Sequence, residues 1–136
     1  MKHVVNLNPP ELGPAVGFSH ISRAGNTVAI AGQIGCDDRG VITNPGDLAS
    51  QFRVAIDRVR KALEAAGCRP ADVVKICYYV TDLDAYRAAS KSIGEAYRAA
   101  FGKHYPASTL LGVDALFDPQ AMVEIDCLAV ASETER

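Results

Sequence analysis

The stretch "MVEIDCLAV", residues 122–130, reads as a buried strand that nonetheless carries two acids. In an extended chain alternate side chains point to opposite faces of the sheet. Val123, Ile125, Cys127 and Ala129 therefore share one face, which is wholly apolar. Met122, Glu124, Asp126, Leu128 and Val130 share the other, so two carboxylates sit two positions apart beside Met, Leu and Val. What those acids face decides both the architecture and the chemistry.

Working outward from this strand, residues 18–23, "FSHISR", and 27–32, "TVAIAG", are strand candidates joined by a turn around Gly25-Asn26. "CDDRG", 36–40, is a further turn cluster, and "ITNPGD" leads into a helix with Asn44 as the expected N-cap and Pro45 at its first position. Leu48, Phe52, Ala55, Ile56, Val59, Ala62, Leu63 and Ala66 then recur at helical spacing until Gly67 stops the helix. "VVKICYYVT", 73–81, is a β-rich run. A second helix follows, with Tyr86, Ala89, Ile93, Tyr97, Ala100 and Phe101 as its apolar stripe and Gly102 at its end. Two strands, about 107–116 and 121–131, close the chain across "FDPQ", and residues 3–6 offer a short strand at its start.

Two amphipathic helices can cover only one face of the sheet these strands build. The other face is then half apolar and half polar, and a monomer rarely exposes an apolar patch of that size. Oligomerisation through that face is the expectation, with ligand sites at the subunit boundary. The length fits one domain over residues 1–136 with a proper core.

Composition narrows the partners. Fourteen basic residues against 16 acidic ones, net −2, provide no basic stripe for nucleic acid or an anionic membrane surface. The N-terminal "MKHVVNLNPPELGP" does not read as a signal peptide, no apolar run approaches a membrane span, and the cytoplasm is the expected compartment. Cysteines 36, 68, 77 and 127 lack the close spacing of a zinc knuckle, and histidines 3, 20 and 104 are scattered. Reduced thiols and no metal site are expected.

The familiar catalytic signatures are missing: no Gly-rich phosphate loop, no zinc helix, no nucleophile elbow. "GQIG", 32–35, lacks a third glycine and an immediate helix, so dinucleotide binding is not expected. Glu124 stands out. It is either a solvated or paired carboxylate, or a general base or water-orienting group in an apolar pocket that raises its pKa. Asp126, on the same face, is its partner or a subunit salt bridge. Ser108 can donate a hydrogen bond to a ligand, but no base is identifiable to make it a nucleophile. Phe18, Tyr78, Tyr79 and Tyr105 read as core or interface aromatics first and ligand walls second. His20 and His104 read as satisfied polar contacts.

The segments "AGNTVAIAGQIG" (24–35), "EAAGCRPADVVKICYYVTDLDAY" (64–86), "YPASTLLGVDAL" (105–116) and "VEIDCLAV" (123–130), in that order, resemble the Rid/YjgF family, whose namesake members are enamine/imine deaminases. The resemblance spans about residues 18–131. It implies an α+β, chorismate-mutase-like fold, a mixed sheet with two helices on one face, assembled as a homotrimer with sites in the clefts between subunits. It further implies hydrolysis of small enamine or imine metabolites to 2-keto acids and ammonia without a cofactor. A glutamate on the last strand directs water in that scheme, and an arginine grips the substrate carboxylate.

Carried over residue by residue, the resemblance puts Glu124 in the water-directing position. Phe18 falls near a ligand-contacting tyrosine, keeping the ring without the hydroxyl. Where the deaminases read Pro-Ala-Arg this chain reads Pro106-Ala107-Ser108, and a polar position early in the second helix is Ser90 or Lys91. A hydroxyl cannot imitate a bidentate guanidinium, a loss of about 1.5–3 kcal/mol for one charge-assisted bond. A small 2-imino acid therefore binds poorly unless another cation, such as Arg23 or Lys91, fills in. The leading expectation is a hydrolase of the imine/enamine type acting on a small metabolite. The alternative is a non-catalytic metabolite-binding trimer. A ribonuclease or translation inhibitor ranks last, since the charge balance leaves no footprint for RNA.

Overall fold

The computed structural model describes residues 3–132. Its strands are β1 (Val5–Leu7), β2 (Ile21–Ala24), β3 (Thr27–Ile34), β4 (Val73–Val80), β5 (Ala107–Gly112) and β6 (Val123–Val130). Its helices are α1 (Leu48–Ala65), α2 (Leu83–Ala88) and α3 (Ser90–Phe101). The strands form one mixed sheet in the order β1-β2-β3-β6-β4-β5, antiparallel throughout except for β4 against β5.

The opening stretch reads correctly. Along β6, Val123, Ile125 and Ala129 are fully buried and Cys127 nearly so, while Glu124 and Asp126 are half-buried and Leu128 and Val130 exposed. The apolar face meets α1, whose Phe52, Ile56, Val59 and Leu63 lie at helical spacing and are buried almost completely. Burial of each such side chain contributes about 1.5–3 kcal/mol relative to exposure. Ile93, Tyr97 and Phe101 of α3 complete the same core. Among the described residues, no helix lies on the opposite face.

Several boundaries differ from expectation, each for a local reason. The strand expected at 18–23 begins only at Ile21, because the His20 amide is taken by the Asn8 side chain. The α1 N-cap is Asp47 rather than Asn44: its carboxylate accepts from the Ser50 amide, and Pro45 lies ahead of the helix in a turn. The second helix is two segments, α2 capped by Asp82 and α3 restarting at Ser90. The last two strands do not pair with each other. β5 runs parallel along the outer edge of β4, and β6 inserts between β3 and β4.

That insertion puts the closing strand at the centre of the sheet. A bulge between Ile30 and Gln33 changes the register of β3 against β6. After it, Gln33 opposite Ile125 turns into the core, and Ile34 opposite Glu124 lies on the uncovered face. Among the described residues, no helix is long and apolar enough to cross a membrane.

Candidate functional site

Glu124 occupies a cleft of about 590 Å³ at the β3–β6 junction, walled by Phe18, His20, Ile34 and Phe117 with Gly32 and Glu124 itself. Gly32 makes the arrangement possible. A β-carbon at that position would collide with the Glu124 carboxylate, standing 2.6 Å from its Cδ. Among the described residues the carboxylate of Glu124 accepts no hydrogen bond and forms no ion pair. Burial, reinforced by the charge of Asp126, raises its pKa above the ordinary glutamate value.

Asp126 is held differently. It accepts a hydrogen bond from the Tyr79 hydroxyl at 2.9 Å, and that bond, with burial, raises the Tyr79 pKa. Tyr79 therefore stays protonated and keeps Asp126 oriented beside Glu124. Two acids on one strand face thus divide their roles: Asp126 is engaged, and Glu124 has no partner among the described residues.

Behind the cleft lies a buried network that the sequence reading missed. Arg58 of α1 is 6% exposed, has no carboxylate partner among the described residues, and donates to the carbonyls of Leu12, Cys36 and Asp37 and to Gln33 Oε1. Gln33 in turn contacts His20 Nδ1 at 3.2 Å, and His20 Nε2 lies 3.1 Å from the Gly13 carbonyl oxygen. Burial, assisted by the Arg58 charge, lowers the His20 pKa against the opposing pull of that carbonyl, which favours the neutral ring. The legible signal is helical phase: Gln51, Ala55, Arg58 and Ala62 fall on one buried stripe of α1, and a polar residue there needs an internal partner.

Ser108 and Ser90 lie elsewhere. Ser108 pairs with Ile76 across the β4–β5 ladder, so its side chain shares the helix-covered face, whereas Glu124 pairs with Tyr79 on the uncovered one. Ser108 and Ser90 line a second cleft of about 280 Å³ together with Tyr78, Tyr86, Tyr105 and Arg98. Within one chain, then, Phe18 and Glu124 come together, Ser90 and Ser108 come together, and the two pairs stand on opposite faces of the sheet. Lys91 is exposed on α3 and lines neither cleft. Arg23 is committed to the carbonyls of Gly25 and Ala66 at the end of α1. His104 serves the β4 backbone through Val73.

No cluster of three or more His, Cys, Asp or Glu residues fit to hold a metal ion occurs among the described residues. The four thiols are free, and burial pushes that of Cys127 up to about 12, which removes it as a thiolate nucleophile.

Comparison with known proteins follows the same lines. Residues 9–131 match the family model described as Endoribonuclease L-PSP. The chain is 31% identical over 131 residues to a RutC family protein of Pyrococcus horikoshii, covering 95% of this chain and 98% of that one. It is 31% identical over 126 residues to a 2-iminobutanoate/2-iminopropanoate deaminase of Escherichia coli, covering 90% and 91%. Among solved structures, the YjgF gene product of E. coli superposes with a TM-score of 0.81 at 27% identity, covering 94% and 99%. RidA from the Antarctic bacterium Psychrobacter sp. does so with a TM-score of 0.79 at 28% identity, covering 93% and 98%.

Proposed function

The chain belongs to the Endoribonuclease L-PSP (YjgF/Rid) family, and on that premise we propose that it is a hydrolase-like member acting on an imine, an enamine or a related small metabolite. The observation that carries this is the state of Glu124: a half-buried carboxylate with no partner among the described residues, above Gly32 in a cleft, its proton affinity raised. Such a group accepts a proton from water and directs the oxygen at an electrophilic carbon. The new C–O bond displaces the C=N π pair onto nitrogen, which takes up a proton. That proton is the one Glu124 took from water; the same carboxylate then relays the carbinolamine O–H proton to the amine, and as the C–N bond breaks ammonia leaves and the C=O bond forms. The relatives named as imine deaminases support the reaction class.

The acting unit in this reading is a homotrimer. Glu124 and Ser108 lie on opposite faces of the sheet, so a ligand that touches both must lie between two copies, with Phe18 and Glu124 from one and Ser90 and Ser108 from the next. The half-apolar uncovered face supports this assembly.

A second reading, a metabolite-binding trimer without turnover, draws on Ser108: the position that grips a carboxylate in the deaminases holds only a hydroxyl here. Turnover separates the two. Ammonia release from imines generated in situ by an amino-acid oxidase is measured for the native protein, Glu124→Ala and Ser108→Arg. Release abolished in Glu124→Ala supports the hydrolase. Gain of release only in Ser108→Arg means that the machinery is intact and aimed at another substrate. Silence from all three overturns the hydrolase and leaves the binding protein. The ribonuclease implied by the family's description finds no electrostatic footprint in a chain of net −2, and salt-independent behaviour on heparin is expected.

A further inference from the structure

The cleft that holds Ser108 contains the cation that neither Arg23 nor Lys91 supplies. Ser90, Gly94 and Arg98 succeed one another at four-residue spacing on α3 and so share one helix face toward this cleft. Gly94 is a costly residue inside a helix, by about 1 kcal/mol against Ala. It leaves room for the guanidinium: a β-carbon there would stand 3.3 Å from Arg98 Nη1, which would then have to shift by a few tenths of an ångström. The exposed Arg98 guanidinium forms no ion pair or hydrogen bond among the described residues. An arginine in a cleft with no carboxylate of its own is a ready partner for one from outside.

The walls define what that carboxylate is attached to. Tyr97 and Tyr105 stack with ring centroids 5.5 Å apart and 19° between planes, and Tyr105 leaves much of its ring exposed. The hydroxyls of Tyr78 and Tyr86 make no hydrogen bond among the described residues, yet no buried polar side-chain atom lacks a partner, so both keep their access at the cleft. A flat ring can lie against these aromatic surfaces in offset or edge-on contact. A volume of about 280 Å³ suits one ring with a short acidic arm.

We propose that this cleft binds a carboxylate borne on an aromatic group, with Arg98 as its anion anchor in place of an arginine at position 108. The inference deepens the reading above by naming its substrate class, an aromatic 2-imino acid, and rests on that reading only for the imine. Binding itself is tested without turnover.

The chain has five tyrosines and no tryptophan, and four of the five line the cleft, so intrinsic fluorescence reports on it directly. The probes are 3-phenylpropionate, propionate and 3-phenylpropanamide, added to the native protein, Arg98→Gln and Arg98→Lys. Saturable quenching by phenylpropionate is expected, with propionate and the amide each about tenfold weaker or more. Arg98→Gln should lower phenylpropionate affinity about tenfold without altering the amide, and Arg98→Lys should restore part of it, with unchanged thermal melting. Equal affinity for acid and amide, an unaffected Arg98→Gln, or no quenching overturns the proposal. The two readings fail separately. Arg98-dependent binding with no ammonia release removes the hydrolase and keeps this site. Ammonia release with the same KM for aromatic and aliphatic imino acids, in native and Arg98→Gln alike, does the reverse.

Discussion

Gly32 and Glu124 occupy adjoining space: a β-carbon on residue 32 would stand 2.6 Å from Cδ of Glu124 and closer still to a carboxylate oxygen. The glycine sits in the β3 bulge between Ile30 and Gln33, and the acid comes from the neighbouring central strand. Sheet irregularity and carboxylate placement are therefore one feature.

Gly32→Ala should displace the Glu124 side chain while leaving the fold intact, since the colliding atoms belong to a side chain and not to backbone. Misplacement of a reacting group by about 1 Å costs on the order of 10²-fold. Ammonia release is expected to drop tenfold to 100-fold, with near-native circular dichroism. Unaltered turnover would detach Glu124 placement from activity.

The raised pKa of Glu124 sets the direction of pH dependence. If its carboxylate is the working form, activity rises with pH through a midpoint above the ordinary 4.5. Asp126→Asn removes the like charge and should move that midpoint down, though not to 4.5, because burial is the larger cause. A midpoint that stays put would remove Asp126 from the electrostatics of the site.

Stability follows the opposite sense. A carboxyl whose folded pKa lies above its unfolded value contributes stability below the unfolded value, near 4.5, and loses it as pH rises through the folded one. Glu124→Gln, which never ionises, should thus be more stable than the native chain at neutral pH and no more stable at pH 4. Paired denaturant titrations at the two pH values check the sign.

Arg58 anchors two loops to α1 through the Leu12, Cys36 and Asp37 carbonyls. Arg58→Leu removes the guanidinium donor from those carbonyls and from Gln33, although the Asp37 carbonyl keeps the Gly40 amide, and the cost of losing a buried charged group's bonds is about 3 kcal/mol. The urea midpoint should fall accordingly. A drop under about 1 kcal/mol would mean that the loops hold themselves.

Leu111 and Leu128 stand exposed on the sheet face without helices. In a homotrimer this face is covered, so Leu128→Asp should convert an assembly into a 14.4 kDa monomer by sedimentation velocity. A native protein that already sediments at 14.4 kDa would contradict the trimer.

Alternation in residues 122–130 separated the core face from the acid face correctly, because a strand's side-chain period is a local property of the backbone. The α1 stripe and its stop at Gly67 were legible for the same reason. The motifs around Gly32, Ser108 and Glu124 marked the family from sequence alone. Asp47 was passed over as a cap because Asn44-Pro45 offers the same chemistry three residues earlier, and only the path of the chain chooses between them. Arg58 and Arg98 were not singled out, since an arginine looks alike in sequence whether it clamps carbonyls or faces a cleft.

What the sequence determined by itself was therefore periodic and local: which residues alternate, where helices stop, which side of β6 is apolar. Only the tertiary structure decided that β6 lies between β3 and β4, that Ser108 and Glu124 face opposite ways, and that Arg98 shares a cleft with Ser108. Those relations join residues tens of positions apart through strand pairing and helix packing, and pairing partners are set by the whole core at once rather than by any stretch of it.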